Sequence, residues 1–193
     1  MTVHEPMTLA TDYLLTVAAA IFAAKLWHTH RMWALAFVFT ALGSFFGGTY
    51  HGLWQSAILW KPTVLSIGFA SFFLLAAFLP RIAIVKLVIY TSWMIFHDAF
   101  LWVIVDYGIT LLLVGAIVSL RRGPATRWIR GSIGLSVIGA VVQQTRLTLH
   151  PHFNYNDLYH VIQLVALWLL YRGGVNLGSR SRVRSSQTSV AAL

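Results

Sequence analysis

The chain has 193 residues, of which 58% are apolar and only 10% charged, with a formal net charge of +9 and no cysteine. That composition excludes an ordinary soluble domain, which is about half apolar and about a quarter charged, and it excludes a disordered chain; an integral membrane protein is expected. The lack of cysteine excludes disulfides, iron–sulfur clusters and thiolate chemistry.

Seven apolar segments follow one another almost end to end, near residues 9–26, 33–53, 63–79, 82–105, 107–120, 131–147 and 158–171. Most approach the ~20 residues needed to cross a bilayer. The fold class is therefore all-α, an integral membrane bundle of seven transmembrane helices. The fourth and fifth segments meet without a loop around Asp106-Tyr107-Gly108, where the break is expected. The segment before the first helix, with His4 and Glu5, lacks the features of a cleaved signal peptide. Residues 1–174 form the membrane domain, and residues 175–193, rich in Arg, Ser and Gly, form a basic disordered tail.

The basic residues sort by side. With seven crossings, one side receives Lys25, Arg31, Arg81, Lys86, Arg121, Arg122, Arg127, Arg130, Arg172, Arg180, Arg182 and Arg184, and the other only Lys61 and Arg146, out of 14 Lys and Arg in all. The positive-inside rule makes the first side cytoplasmic, with the N-terminus outside and the C-terminus inside. A bacterial inner (plasma) membrane is the expected location. The net charge then belongs to cytoplasmic loops, so membrane lipid and not nucleic acid is the expected partner.

The five acids, Glu5, Asp12, Asp98, Asp106 and Asp157, all fall toward the outer side. His51, His97, His160, Gln143 and Gln144 fall at the same level. Ionisable groups within a span cost ~2.5–3.5 kcal/mol and usually face the bundle interior in pairs. A polar pocket near the outer ends of helices 1, 2, 4, 6 and 7 is expected. On helix 2, Ser44, Gly47, Gly48 and His51 share one face, and the pairs Gly43-Ser44 and Gly47-Gly48 form a seam of small residues for close helix approach. On helix 7, Pro151 precedes the helix, Asn154 or Asn156 caps it, and Asn156, His160 and Gln163 share a face. Asp157 lies one turn before His160, where it either orients the imidazole or ligates a metal itself.

A histidine ending helix 2 (His51) and one early in helix 7 (His160), on the side of the N-terminus, resemble the CREST superfamily, which contains the alkaline ceramidases and the progestin/adiponectin receptors. The run Gly47 to Gly52 with Asn156-Asp157-Leu158-Tyr159-His160 looks like a small bacterial membrane family of unknown function. The superfamily resemblance implies an intramembrane Zn2+, held by one helix 2 and two helix 7 histidines, and hydrolysis of a lipid amide or ester. His51 and His160 match two of those ligand positions. Asn156 occupies the third, Gly47 stands where a serine is expected with Ser44 a turn earlier, and no aspartate matches near Lys61-Pro62. A zinc site rebuilt here would draw its third ligand from Asp12, Asp157, His97 or Asp98. The expected site is Ser44 and Asp98 as catalytic residues, His51, His160, Asp157 and Asp12 around the metal, and His97, Asn156 and Gln143 in the pocket. A non-enzymatic lipid or small-ligand binder, or a proton-coupled membrane protein of the same fold, is the alternative. The sequence leaves the oligomeric state open.

Overall fold

The computed structural model describes residues 3–150 and 152–177. It is all-helical, with α1 (Pro6–Leu26), α2 (Arg31–Gly52), α3 (Ala57–Ala76), α4 (Pro80–Phe96), α5 (Phe100–Leu120), α6 (Ala125–Thr145) and α7 (Tyr155–Leu177). Five of these, α1, α2, α3, α5 and α7, are long and apolar enough to cross a membrane. The end of the bundle where α1, α3, α5 and α7 begin is called the upper end below.

Six of the helices close a ring. α1 packs on α2, α2 on α3, α3 on α5, α5 on α6, α6 on α7, and α7 returns to α1. α4 stands outside the ring and packs on α3. Its buried residues are Ala83, Tyr90 and Met94, whereas Ile82, Ile84, Val85, Val88, Ile89, Ile95 and Phe96 are exposed. An exposed apolar surface of this extent fits lipid rather than water.

The lower half of the ring is filled. Leu26, Trp33, Phe37, Leu74, Leu75, Val114, Val118 and Ile129 are buried there in one cluster. Glycines let the helices meet: a Cβ on Gly173 would lie 2.6 Å from Ile129, and one on Gly174 would lie 2.7 Å from the Trp33 ring. The expected seam on α2 serves both neighbours. A Cβ on Gly48 would lie 2.8 Å from Asp12 Cβ on α1, and one on Gly43 would lie 2.6 Å from Ile67 on α3.

The boundary between the fourth and fifth helices differs from the expectation. The chain breaks at His97-Asp98-Ala99, and Asp106-Tyr107-Gly108 runs through the interior of α5. Two interactions account for the shift. Lys61 on α3 donates to the carbonyls of Met94 (2.8 Å) and Ile95 (3.1 Å), and Trp60 Nε1 donates to the carbonyl of Asp98 (2.9 Å). These donors satisfy the carbonyls that a helix leaves open where it ends. Asp106 in turn is neutralised by Lys86 of α4, so its charge does not interrupt α5. Asp98 is thus a loop residue and His97 the residue that ends α4, and neither lies within a helix as expected.

Three other ends differ. α3 starts before Pro62, with Ser56 accepting from the Ile58 N–H as its cap. α6 starts at Ala125, ahead of the apolar run that marks it in sequence. α7 continues to Leu177, beyond the expected domain boundary, and residues 178–193 of the tail lie outside the described residues, as does Pro151.

Candidate functional site

The upper half of the ring encloses a cavity of about 950 Å³. α1, α2, α3, α5, α6 and α7 all line it, and α4 does not. The polar part of its wall carries Asp12, Ser44, His51, Gln143, Asn156 and His160. Gln144, Arg146 and Gln163 add further polar groups, and much of the rest is apolar or aromatic, including Leu15, Phe100, Val103, Leu111 and Leu167. Leu112, Val137 and Val141 line the cavity yet are 61%, 56% and 56% exposed, so the wall between α5 and α6 is open to the outside of the bundle.

The polar wall is built where α1, α2 and α7 meet. α7 begins with a reciprocal cap. Asn154 Oδ1 accepts from the N–H groups of Asn156 (2.8 Å) and Asp157 (3.3 Å), and Asp157 Oδ2 accepts from the Asn154 N–H (2.7 Å). The other oxygen of Asp157 accepts from the Thr8 hydroxyl of α1 at 2.8 Å. Both carboxylate oxygens are therefore engaged in holding α7 and joining it to α1. Thr8 also lies 3.0 Å from Glu5 Oε2, and Glu5 Oε1 lies 3.6 Å from His51 Nδ1.

One turn along α7, His160 Nε2 faces Asp12 Oδ1 at 3.4 Å, and its Nδ1 lies 3.0 Å from the Thr11 hydroxyl. With Nε2–H pointing at the carboxylate, Nδ1 is left to accept from Thr11, whose one hydroxyl proton is shared between Nδ1 and the Thr8 carbonyl at 3.1 Å. Asp12 and His160 are buried. Gln143 Nε2 donates to Asn156 Oδ1 at 3.2 Å, which fixes the Asn156 amide toward α6. Two buried atoms on lining residues have no hydrogen-bond partner among the described residues: His51 Nδ1 and Gln143 Oε1.

The expected site residues divide by position. Asp12, Ser44, His51, Gln143, Asn156 and His160 share the cavity wall, and Asp157 stands behind it. Ser44 lies two turns of α2, about 10 Å, from His51. His97 and Asp98 lie elsewhere. His97 stacks on Trp93 with ring centres 3.8 Å apart and its Nδ1–H donates to the Trp93 carbonyl at 2.9 Å. Asp98 is exposed and pairs with Lys61 at 2.5 Å. Both belong to the turn after α4, which the ring excludes. Glu5 was placed at this level by its charge alone, and Thr8 and Thr11 were not singled out in sequence, although Thr8 lies one turn before Asp12 on α1.

The donor types needed for zinc are present: two imidazoles and nearby carboxylates. Their arrangement does not fit a zinc centre as it stands. His160 presents its two ring nitrogens to Thr11 and Asp12, Asp157 uses both oxygens on the helix cap and Thr8, and Asn156 is held by Gln143. Among the described residues no three His, Asp or Glu side chains converge as a metal-binding group.

Residues 7–179 match the profile of a family of unknown function (DUF6962), and the chain belongs to that family. No curated protein and no solved structure matches it.

Proposed function

We propose that this family member binds a single-chain, lipid-like amphiphile drawn from the bilayer, with its polar head at the Asp12–His160 wall and its chain along the apolar part of the cavity. The observation that carries this reading is Gln143 Oε1, a buried carbonyl oxygen with no hydrogen-bond partner among the described residues, on the wall of a cavity lined in large part by apolar side chains. An unpaired buried polar atom costs about 1–3 kcal/mol, and a ligand hydroxyl or amide would recover that cost. The gap between α5 and α6, edged by Leu112, Val137 and Val141, suits entry from hydrocarbon rather than from water.

In this reading all seven helices cross a bacterial inner membrane, with the upper end outside and the arginine-rich end in the cytoplasm. The helices α4 and α6, less apolar or shorter than the rest, cross as members of the bundle. The alternation of Lys and Arg between the loops supports that orientation.

Hydrolysis of a lipid amide or ester is the second reading, favoured by the Asp12–His160 pair. A carboxylate beside an imidazole holds the ring in one tautomer and strengthens it as a proton acceptor. His160 Nδ1, once released from the Thr11 hydroxyl, would take the proton of a water attacking the ligand carbonyl and return it to the departing amine or alcohol, and Ser44 would supply a hydroxyl at the deeper wall. The metal-dependent form of this chemistry, implied by the superfamily resemblance, needs a third donor beside His51 and His160.

The test uses full-length protein in detergent or nanodiscs with a photoactivatable fatty acid and a photoactivatable fatty amide. Cross-links on α5, α6 and the first turns of α7, reduced several-fold by Val137→Trp, are expected. Cross-links confined to the outward face of α4, around Val88 and Ile89, would overturn the reading. Release of free fatty acid from the amide by wild type but not by His160→Ala would favour the second reading over simple binding.

A further inference from the structure

At the lower end of the bundle, two arginines are held on one indole. The guanidinium of Arg127 lies 4.9 Å from the centre of the Trp128 ring and that of Arg172 lies 4.6 Å from it. Arg172 is also 5.6 Å from the Trp168 ring, and the two indoles meet edge to face at 5.8 Å. Stacking occupies the flat face of a guanidinium and leaves its in-plane N–H groups directed outward.

These two cations have no carboxylate partner among the described residues. The chain has five acids, and each is engaged elsewhere: Glu5 with His51, Asp12 with His160, Asp98 with Lys61, Asp106 with Lys86, and Asp157 with Thr8. No carboxylate among the described residues supplies their charge complement. Beside the arginines runs an apolar groove of about 310 Å³ between α1 and α7, lined by Phe22, Leu164, Val165 and Trp168. Trp168 belongs to both features, as a wall of the groove and as a stacking partner of Arg172.

We infer that this is a binding site for an anionic phospholipid. The phosphate is gripped by the outward N–H groups of Arg127 and Arg172, and one acyl chain lies in the Phe22–Trp168 groove. Arginine forks match phosphate oxygens in paired hydrogen bonds, and basic pockets between membrane helices take anionic headgroups. A phospholipid is favoured over free phosphate because the groove continues from the arginines and offers only apolar contacts. The site is separate from the upper cavity and does not depend on what occupies it.

The test is native mass spectrometry of the full chain released from non-ionic detergent, titrated with phosphatidylglycerol or with phosphatidylcholine of the same chains. Wild type is expected to retain phosphatidylglycerol in preference. Arg127→Gln/Arg172→Gln is expected to lower that retention about tenfold, a loss of about 1.4 kcal/mol. Arg81→Gln, at the same end but outside the cluster, should leave it unchanged, and Trp168→Ala should weaken retention without abolishing the preference for the anionic lipid. If the double variant fails to fold, Arg172→Lys tests the same point, since it keeps the charge and loses the stacked fork. Equal retention of the two lipids by wild type would overturn the site. So would an equal loss in Arg81→Gln, or full displacement of the lipid by millimolar inorganic phosphate.

Discussion

Lys86 of α4 and Asp106 of α5 form an ion pair within the bundle, and the same Lys86 ammonium donates to the Ser71 hydroxyl of α3 at 2.8 Å. Ser71 is in turn 2.8 Å from Thr110 Oγ1 on α5. α4 lies outside the ring, and this network, the Lys61 cap and the bond from Tyr90 to the Val64 carbonyl (2.8 Å) attach it together with the packing of Tyr90 and Met94 on Val64 and Val103. Removing one partner of a buried pair leaves an uncompensated charge, which costs about 3–5 kcal/mol, whereas removing both can be nearly neutral. Lys86→Met and Asp106→Leu are each expected to lower the midpoint of thermal unfolding in detergent, and the double variant to recover most of the loss. A double variant as unstable as the sum of the singles would show that the pair does not act as a unit.

The two glycines of α2 that face α1 should behave oppositely. A Cβ at Gly48 would lie 2.8 Å from Asp12 Cβ, close to backbone that cannot give way easily, whereas the nearest atom to a Cβ at Gly47 is the Thr63 methyl at 3.4 Å. Gly48→Ala is expected to destabilise by about 1–3 kcal/mol. Gly47→Ala should be neutral or slightly stabilising, because alanine favours the helix by up to about 1 kcal/mol. Thermal melts of the two variants side by side check this.

Asp157 acts as a clamp between α7 and α1. Asp157→Ala removes the cap from Asn154 N–H and leaves the Thr8 hydroxyl without that acceptor. The expected cost is about 1–3 kcal/mol, with faster hydrogen exchange confined to the first turns of α7 and α1. Asp157→Asn keeps one acceptor oxygen and should fall between alanine and wild type.

Asn156 offers a direct test of the zinc reading. It lies one turn before His160, lines the cavity, and is held by Gln143. Asn156→His adds a third imidazole to His51 and His160 on that wall. Elemental analysis of purified protein is expected to find zinc well below one per chain in wild type and raised several-fold in Asn156→His, with the gain lost when His51→Ala is added. Equal zinc in wild type and Asn156→His would remove the case for a latent ligand set.

The hydrophobic runs made all seven helices legible, since each stretch that must avoid water is marked by its own composition. The break between α4 and α5 was not legible, because Asp106 reads as a boundary until its partner Lys86 is known, and that partner comes from a different helix. His51, Asp12, His160, Asn156, Gln143 and Ser44 were brought to one wall by their common level in the bundle. His97 and Asp98 sit at that level too, and they are excluded only because the ring closes between α3 and α5. No local pattern encodes that choice. The part played by Thr8 was within reach, since it lies one turn before Asp12 on α1. Threonine is common enough in apolar helices to pass as filler.

The contact between Asp12 and His160 joins the first helix of the chain to the last. During synthesis Asp12 enters the membrane six helices before its partner exists, and Thr8 waits equally long for Asp157. The polar wall is therefore the final piece of the molecule to be assembled, and α7 acts as its keystone. A chain ending before Tyr155 would leave a lone carboxylate in α1 facing lipid or an open bundle, at a cost of several kcal/mol. Such a chain is expected to be cleared from the membrane much faster than the full one, with Asp12→Ala restoring its lifetime in a pulse–chase measurement. Completion of the pocket and completion of the fold would then be one event.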